Sequence, residues 1–119
     1  MAEDRVMQSL LLDFYGELLT DKQRECCELH FNEDLSLSEI AEQCGISRQG
    51  VWDNIRRAVA SLEEIEAKTG LIRRFSETQT ALEGLYAQAE ALRAALPEGQ
   101  ARRAAMMLTE GLRALLERG

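Results

Sequence analysis

One proline, one histidine and one tryptophan stand among 119 residues, and aromatic side chains make up only 5% of the chain. With so little proline, few positions force a break in a helix. Leu, Ala, Glu, Gln and Arg fill the space instead, and all of them favour helix. An all-α fold is therefore expected. Cysteine is also scarce: Cys26, Cys27 and Cys44 are an odd set with two adjacent members, which argues against a disulfide framework. Reduced, buried or half-buried thiols are expected instead. Cys26 and the lone His30 sit at i and i+4, a spacing that can put two ligands on one helix face. A zinc ion needs two more soft ligands, and Cys27 points about 100° away on a helix of 3.6 residues per turn. No metal and no cofactor are expected. No nucleophile has an evident base and orienting partner, so the chain does not read as an enzyme.

Long apolar runs are missing too. None approaches the roughly 20 residues of a membrane span. The N-terminus MAEDRVMQSLLLDF places acid before a short apolar patch, unlike a secretory signal, and a cytoplasmic protein is expected. Basic charge is in deficit, with 14 Lys and Arg against 21 Asp and Glu and a formal net charge of −7.

Apolar residues do recur at helical spacing. Val6, Met7, Leu10, Leu11, Phe14, Tyr15 and Leu18 form a stripe on a first helix of about 15 residues. Thr20 followed by Gln23 has the form of a capping box, so a second helix should begin at Asp21 and run to about Phe31. The polar turn Asn32-Glu33-Asp34 ends it. Ser36 with Glu39 makes a second capping box for a short third helix through Cys44. Gly45 supplies a left-handed stop, and Ser47 caps a fourth helix almost at once. That helix buries Val51, Ile55, Ala58/Val59 and Leu62 and should reach about Lys68, before Thr69-Gly70.

The stretch LSLSEIAEQCGISRQGVWDNIRRA, residues 35–58, thus has the parts of a helix-turn-helix. Ala41 is small where the third and fourth helices cross, and Ile40, Ile46, Val51 and Ile55 fill the wedge between them. Ser47, Arg48, Gln49, Trp52, Asp53 and Arg56 are left outward. In such a motif the start of the second helix enters the major groove. Arg48 and Gln49 suit guanine and adenine edges, and Arg56 and Arg57 suit phosphates. Trp52 suits either a sugar or base or a neighbouring protein surface. Asp53 repels phosphate and is expected to pair with Arg56 or Arg57. Gly50 inside a helix costs about 1 kcal/mol relative to Ala, pointing to a close approach or a softened helix.

After Gly70 the pattern changes. Leu71, Phe75, Thr78, Leu82, Leu85, Ala89, Leu92 and Leu96 follow a 4-3 heptad spacing. A helix over 71–96 would be roughly 39 Å long. Pro97-Glu98-Gly99 breaks it, and a last helix from about Glu98 to Glu117 carries Ala101, Ala104/Ala105, Leu108, Leu112 and Leu115/Leu116. Two domains are expected: a helix-turn-helix bundle over 1–70 and a C-terminal helical extension over 71–119. The extension packs within its own chain or serves as a dimerisation element, and a closed homodimer is the commonest soluble oligomer.

The runs Leu19-Thr20-Asp21-Lys22-Gln23-Arg24, Leu35-Ser36-Leu37-Ser38-Glu39-Ile40-Ala41 and Gly45-Ile46-Ser47-Arg48-Gln49 resemble region 4 of sigma-70 factors. The chain is still more similar to the YlxM (p13-like) helix-turn-helix proteins. There the run Ser47-Arg48-Gln49, a small residue, Val51, an aromatic and Asp53-Asn54-Ile55 recurs, as do Gly70-Leu71 and Phe75. The resemblance covers roughly Arg5 to Phe75. It implies a DNA-binding or regulatory helix-turn-helix protein linked to the signal recognition particle pathway, with no catalytic residues. Two positions depart from it: Gly50 stands where that family prefers alanine, and Trp52 where it prefers tyrosine.

Charge sets the strength of the expected contact. Residues 1–75 carry nine basic and fifteen acidic side chains, whereas residues 47–57 carry three arginines and one aspartate. Non-specific affinity scales with phosphates neutralised, so weak, salt-sensitive DNA binding is expected, made useful by dimerisation. The other reading is a protein- or RNA-interaction module, anchored by Trp52, for a component of the signal recognition particle or of the transcription machinery. An acidic body suits a basic protein partner.

Overall fold

The computed structural model describes residues 2–118 and is all-α, with α1 (Ala2–Tyr15), α2 (Asp21–Cys27), α3 (Leu37–Cys44), α4 (Arg48–Thr69), α5 (Leu71–Ala95) and α6 (Gln100–Arg118). No strand occurs among the described residues. Two compact units are distinguished, one ending at Ile72 and the other beginning at Arg73.

In the first unit each boundary follows from local chemistry. Thr20 and Gln23 exchange side-chain-to-backbone hydrogen bonds at the start of α2, as do Ser36 and Glu39 at the start of α3. Each box satisfies two of the amides a helix leaves open. The hydrogen bonds from Ser36 hold the Glu39 carboxyl below its usual range. Gly45 ends α3 at φ 69° and Gly70 ends α4 at φ 64°, in the left-handed region that costs other L-residues about 1–2 kcal/mol. Beyond Gly70, the Glu66 carboxylate accepts from the Tyr15 hydroxyl at 2.6 Å and from the Ile72 amide at 3.0 Å. This ties the end of α1 to the junction of α4 and α5.

Two elements differ from the sequence expectation. The second helix does not stay regular to Phe31: from Glu28 to Asn32 it widens into a π turn. Asp34 then takes a left-handed φ of 59°. Arg5 holds this corner, pairing with Asp34 and donating to the His30 carbonyl at 3.2 Å. The first helix also buries a narrower stripe than its spacing suggests. Leu11, Leu12 and Tyr15 are buried, whereas Val6, Met7, Phe14 and Leu18 are exposed. Gly16–Leu18 tightens into a 3₁₀ turn, which rotates Leu18 off the helix's inner face.

The core is built across these helices. Leu12, Cys26, Cys27, Leu29, Ile40, Val51, Ile55 and Ala58 form one cluster, and Leu11, Tyr15, Leu62 and Ile72 form a second. Ile40 and Val51 are completely inaccessible. Truncating Ile40 leaves a cavity at the helix crossing, so Ile40→Ala should lower unfolding stability by about 2–5 kcal/mol. Urea denaturation followed by circular dichroism measures this, and a loss below about 1 kcal/mol would show that the crossing collapses around the gap.

The second unit buries far less. Among its described residues only Ala89, Ala105 and Thr109 are buried. The short break after α5, and a cavity lined by Tyr86, Glu90 and Arg93 together with Met106, Thr109 and Arg113, make α5 and α6 an antiparallel pair. Of the expected heptad row, Ala89 is buried and Phe75, Leu82 and Leu96 are half-buried, but Leu71, Thr78, Leu85 and Leu92 are exposed. The inward row instead includes half-buried Tyr86 and Arg93. On α6, Leu112 and Leu116 are half-buried while Leu108 and Leu115 face out.

Candidate nucleic-acid interface

The turn at Gly45 and the cap at Ser47 aim the start of α4. Ser47 is extended (φ −74°, ψ 158°), and its hydroxyl accepts from the Gly50 amide at 2.9 Å. Here the cap is one-sided. The residue that would reciprocate is Gly50, which has no side chain, and the first turn of α4 carries no acidic residue. By contrast, α2 has Asp21 and α3 has Glu39 in the first turn. The positive end of the α4 dipole therefore has no acid in its own first turn to neutralise it. Gly50 itself sits close to the cap: a Cβ there would lie 3.1 Å from the Ser47 hydroxyl oxygen. That is the close approach its position suggests.

Ser47, Arg48, Gln49, Trp52, Arg56 and Arg57 are all exposed. They divide into two groups. Asp53 gathers Gln49, whose amide Nε2 donates to Oδ1 at 3.2 Å, and Arg56, whose Nη2 lies 3.6 Å from the same oxygen. Gln49 can reach an adenine edge only by leaving Asp53. Arg48 and Arg57 have no ion-pair partner among the described residues. They are the two cations of the helix whose charge is not already engaged. Exposed pairs such as Asp53–Arg56 are weak, well under 1 kcal/mol in most cases, so Arg56 is readily recruited elsewhere.

Trp52 is 46% exposed. It forms one lip of a groove of about 380 Å³ whose other walls are His30 and Phe31 from the π turn and Ile55, Arg56, Val59, Ala60 and Glu63 from α4. His30 and Phe31 meet edge to face at 4.9 Å, and His30 Nδ1 lies 3.2 Å from the Leu35 carbonyl, which fixes the ring. Sequence spacing singled out His30 only beside Cys26 and Val59 only in the buried stripe of α4, and it did not bring out Phe31 or Ala60. The groove is assembled from two segments, and the only local signal is an apolar pair, Val59-Ala60, just past the outward Trp52.

The cysteines sit behind the interface. Cys26 and Cys27 are fully buried, and Cys44 donates to Glu25 Oε1 at 3.1 Å. Burial pushes the Cys27 thiol up to about 12, and burial with the hydrogen bond to Glu25 pushes Cys44 up to about 11. His30 lies at the groove while Cys26 lies in the core, so the i, i+4 pair is not a shared ligand site. No cluster of three or more metal-ligating side chains occurs among the described residues.

The comparisons with known proteins fit this geometry. The profile of the UPF0122 family, "Putative helix-turn-helix protein, YlxM / p13 like", matches residues 2–96. A UPF0122 protein of Thermoanaerobacter sp. (strain X514) is 47% identical over 93 residues, 78% of this chain and 80% of the relative. One from Acetivibrio thermocellus is 55% identical over 73 residues, 60% and 62% of the two chains. One from Bacillus cereus (strain AH187) is 49% identical over 79 residues, 66% and 72%. The likeness therefore passes Phe75 and runs through α5, while α6 lies outside the matched residues.

Two measurements follow. Ser47→Ala removes the only side-chain cap on α4 and should cost about 1 kcal/mol in chemical denaturation; no change would mean that solvent replaces the hydroxyl fully. Thiol titration should find Cys27 and Cys44 neutral and slow to alkylate at pH 8, with all three cysteines reacting rapidly once unfolded. Because their folded values lie above the ordinary 9.0, the stability tied to these thiols is intact below about pH 9 and is lost as pH rises towards the folded values. Rapid alkylation of the native protein at pH 8 would contradict this.

Proposed function

The chain belongs to the YlxM/p13-like family of helix-turn-helix proteins, and on that premise we propose that it is a non-enzymatic, cytoplasmic regulator that binds DNA through the start of α4. Ser47, Arg48, Gln49, Trp52, Arg56 and Arg57 form the contact surface, and a homodimer places two such surfaces on one duplex. The observation that carries this reading is the N-terminus of α4. It is capped by a hydroxyl, free of acid in its first turn and flanked by exposed Arg48, the arrangement that favours a phosphate at a helix start. Arg57 adds a second cation, and Arg48 can pair with a guanine edge. The acidic body, at −7 overall, repels the rest of the duplex and keeps binding weak without avidity.

A second reading is supported by the groove beside Trp52. There the same helix docks a protein or RNA component of the signal recognition particle or of the transcription machinery, with Trp52 as the aromatic anchor.

Duplex titrations at low and physiological salt separate the two. On the first reading, replacing Arg48 and Arg57 by Ala weakens binding at all salt concentrations and reduces the salt slope by about two. Absence of measurable DNA binding by the wild type at low salt would sink it. On the second, Trp52→Ala abolishes capture of the particle's RNA or protein components while the double arginine variant retains it.

A further inference from the structure

The second unit has two unlike faces. On one, the helices are laced with charge: Glu90 pairs with Arg93 at 3.0 Å and Glu110 with Arg113 at 2.7 Å, beside Tyr86 and Met106. The other has none. On α5 the exposed positions Thr78, Ala81, Leu85, Gln88, Leu92 and Ala95 follow each other at 3-4 spacing. On α6 the exposed positions Ala101, Ala104, Leu108, Gly111 and Leu115 do the same. In a chain that is 29% charged, these eleven positions carry no charged side chain. Each stripe lies on the same rotational side of its helix's buried residues, Ala89 on α5 and Ala105 on α6. In an antiparallel pair, two stripes so placed emerge on one common face.

The geometry points to a second copy of this chain as the occupant of that face, the two helical pairs closing into a four-helix bundle about a two-fold axis. The inference specifies the interface of the homodimer proposed above, and it does not depend on what α4 binds. Three features select a second copy. Among the unit's described residues only two alanines and a threonine are buried, too small a core for two helices of 25 and 19 residues to hold their packing in water unaided. Leu85, Leu92, Leu108 and Leu115 stay 51%, 50%, 58% and 47% exposed, so the apolar area that would complete the core is present but uncovered. The face offers no charge to a polyanion or a charged protein, while its 3-4 rhythm of leucine against alanine and glycine suits helices that approach closely with interlocking side chains. A face of this kind is complementary to itself across a two-fold axis.

Light scattering and sedimentation equilibrium on the full chain provide the test. The wild type should have twice the mass of one chain. Leu85→Lys combined with Leu108→Lys should dissociate it, weakening association about a hundredfold or more, and Met107→Lys, off the stripe, should leave it dimeric. Should the double variant lose helicity, crosslinking decides. Gln88→Cys in oxidised glutathione should form an interchain disulfide much faster than Arg103→Cys, the oxidant accepting the two electrons as the thiols lose their protons. A monomeric wild type, with or without binding to neutral lipid vesicles, would overturn the proposal. So would a dimer that survives both lysines with its helicity intact, or equal crosslinking at the two cysteines. DNA binding is read separately: its absence in a confirmed dimer removes the nucleic-acid reading alone, and a monomer that binds DNA removes the dimer alone.

Discussion

The crossing of α3 over α4 is the constraint around which the first unit is arranged. Gly45 turns the chain in a conformation with φ 69°, and Ile40 and Val51 close the space behind it with no accessible surface. The two helices are therefore held by a backbone turn on one side and a packed wedge on the other. Shifting either would open a void or force a side chain into the turn, and close-packed interiors resist both. The outward residues of α4 inherit this rigidity. Their aim is set by atoms they do not touch.

Rigidity also explains why the capping pattern matters beyond stability. At α2 and α3 a glutamine or glutamate returns to the backbone and closes the helix start. At α4 that return is missing because Gly50 occupies the position. A residue with a carboxylate there would have capped the helix more fully and placed a negative charge at the positive end of its dipole. The glycine gives up helix propensity and leaves the first turn without an acid, a local weakness placed beside the exposed Arg48.

The caps at Thr20, Ser36 and Ser47, the stop at Gly45 and the buried face of α4 were legible because each depends on residues within four positions of one another. The π turn was not: a widened turn changes the hydrogen-bond register without changing which residues are apolar. The groove at Trp52 was hidden for the same reason, since one wall of it, His30 and Phe31, comes from that turn. The heptad row on α5 was legible only as a period. Phe75, Leu82, Ala89 and Leu96 belong equally to a row containing Leu85 and Leu92 and to one containing Tyr86 and Arg93. Hydrophobicity favours the first row. Inside the pair the second was used, because long amphipathic side chains can cover apolar surface and still keep their polar ends in water. Exposed site residues were placed outward as expected, but Asp53's hold on both Gln49 and Arg56 concerns rotamers, which spacing alone does not fix.

The π turn gives the groove beside Trp52 walls held by different bonds. On the α4 side the backbone bond that opens the helix, from the Val51 amide to the Ser47 carbonyl, is 2.9 Å long, and Ile55 is anchored in the core. On the opposite side the widened turn ends on a longer bond, 3.3 Å from the Glu33 amide to the Glu28 carbonyl. That corner is also held from outside the turn, by Arg5 on Asp34 and on the His30 carbonyl and by the His30 ring on the Leu35 carbonyl. The two walls of the groove thus depend on different parts of the chain, and a change at Arg5 would reach His30 and Phe31 without touching the start of α4.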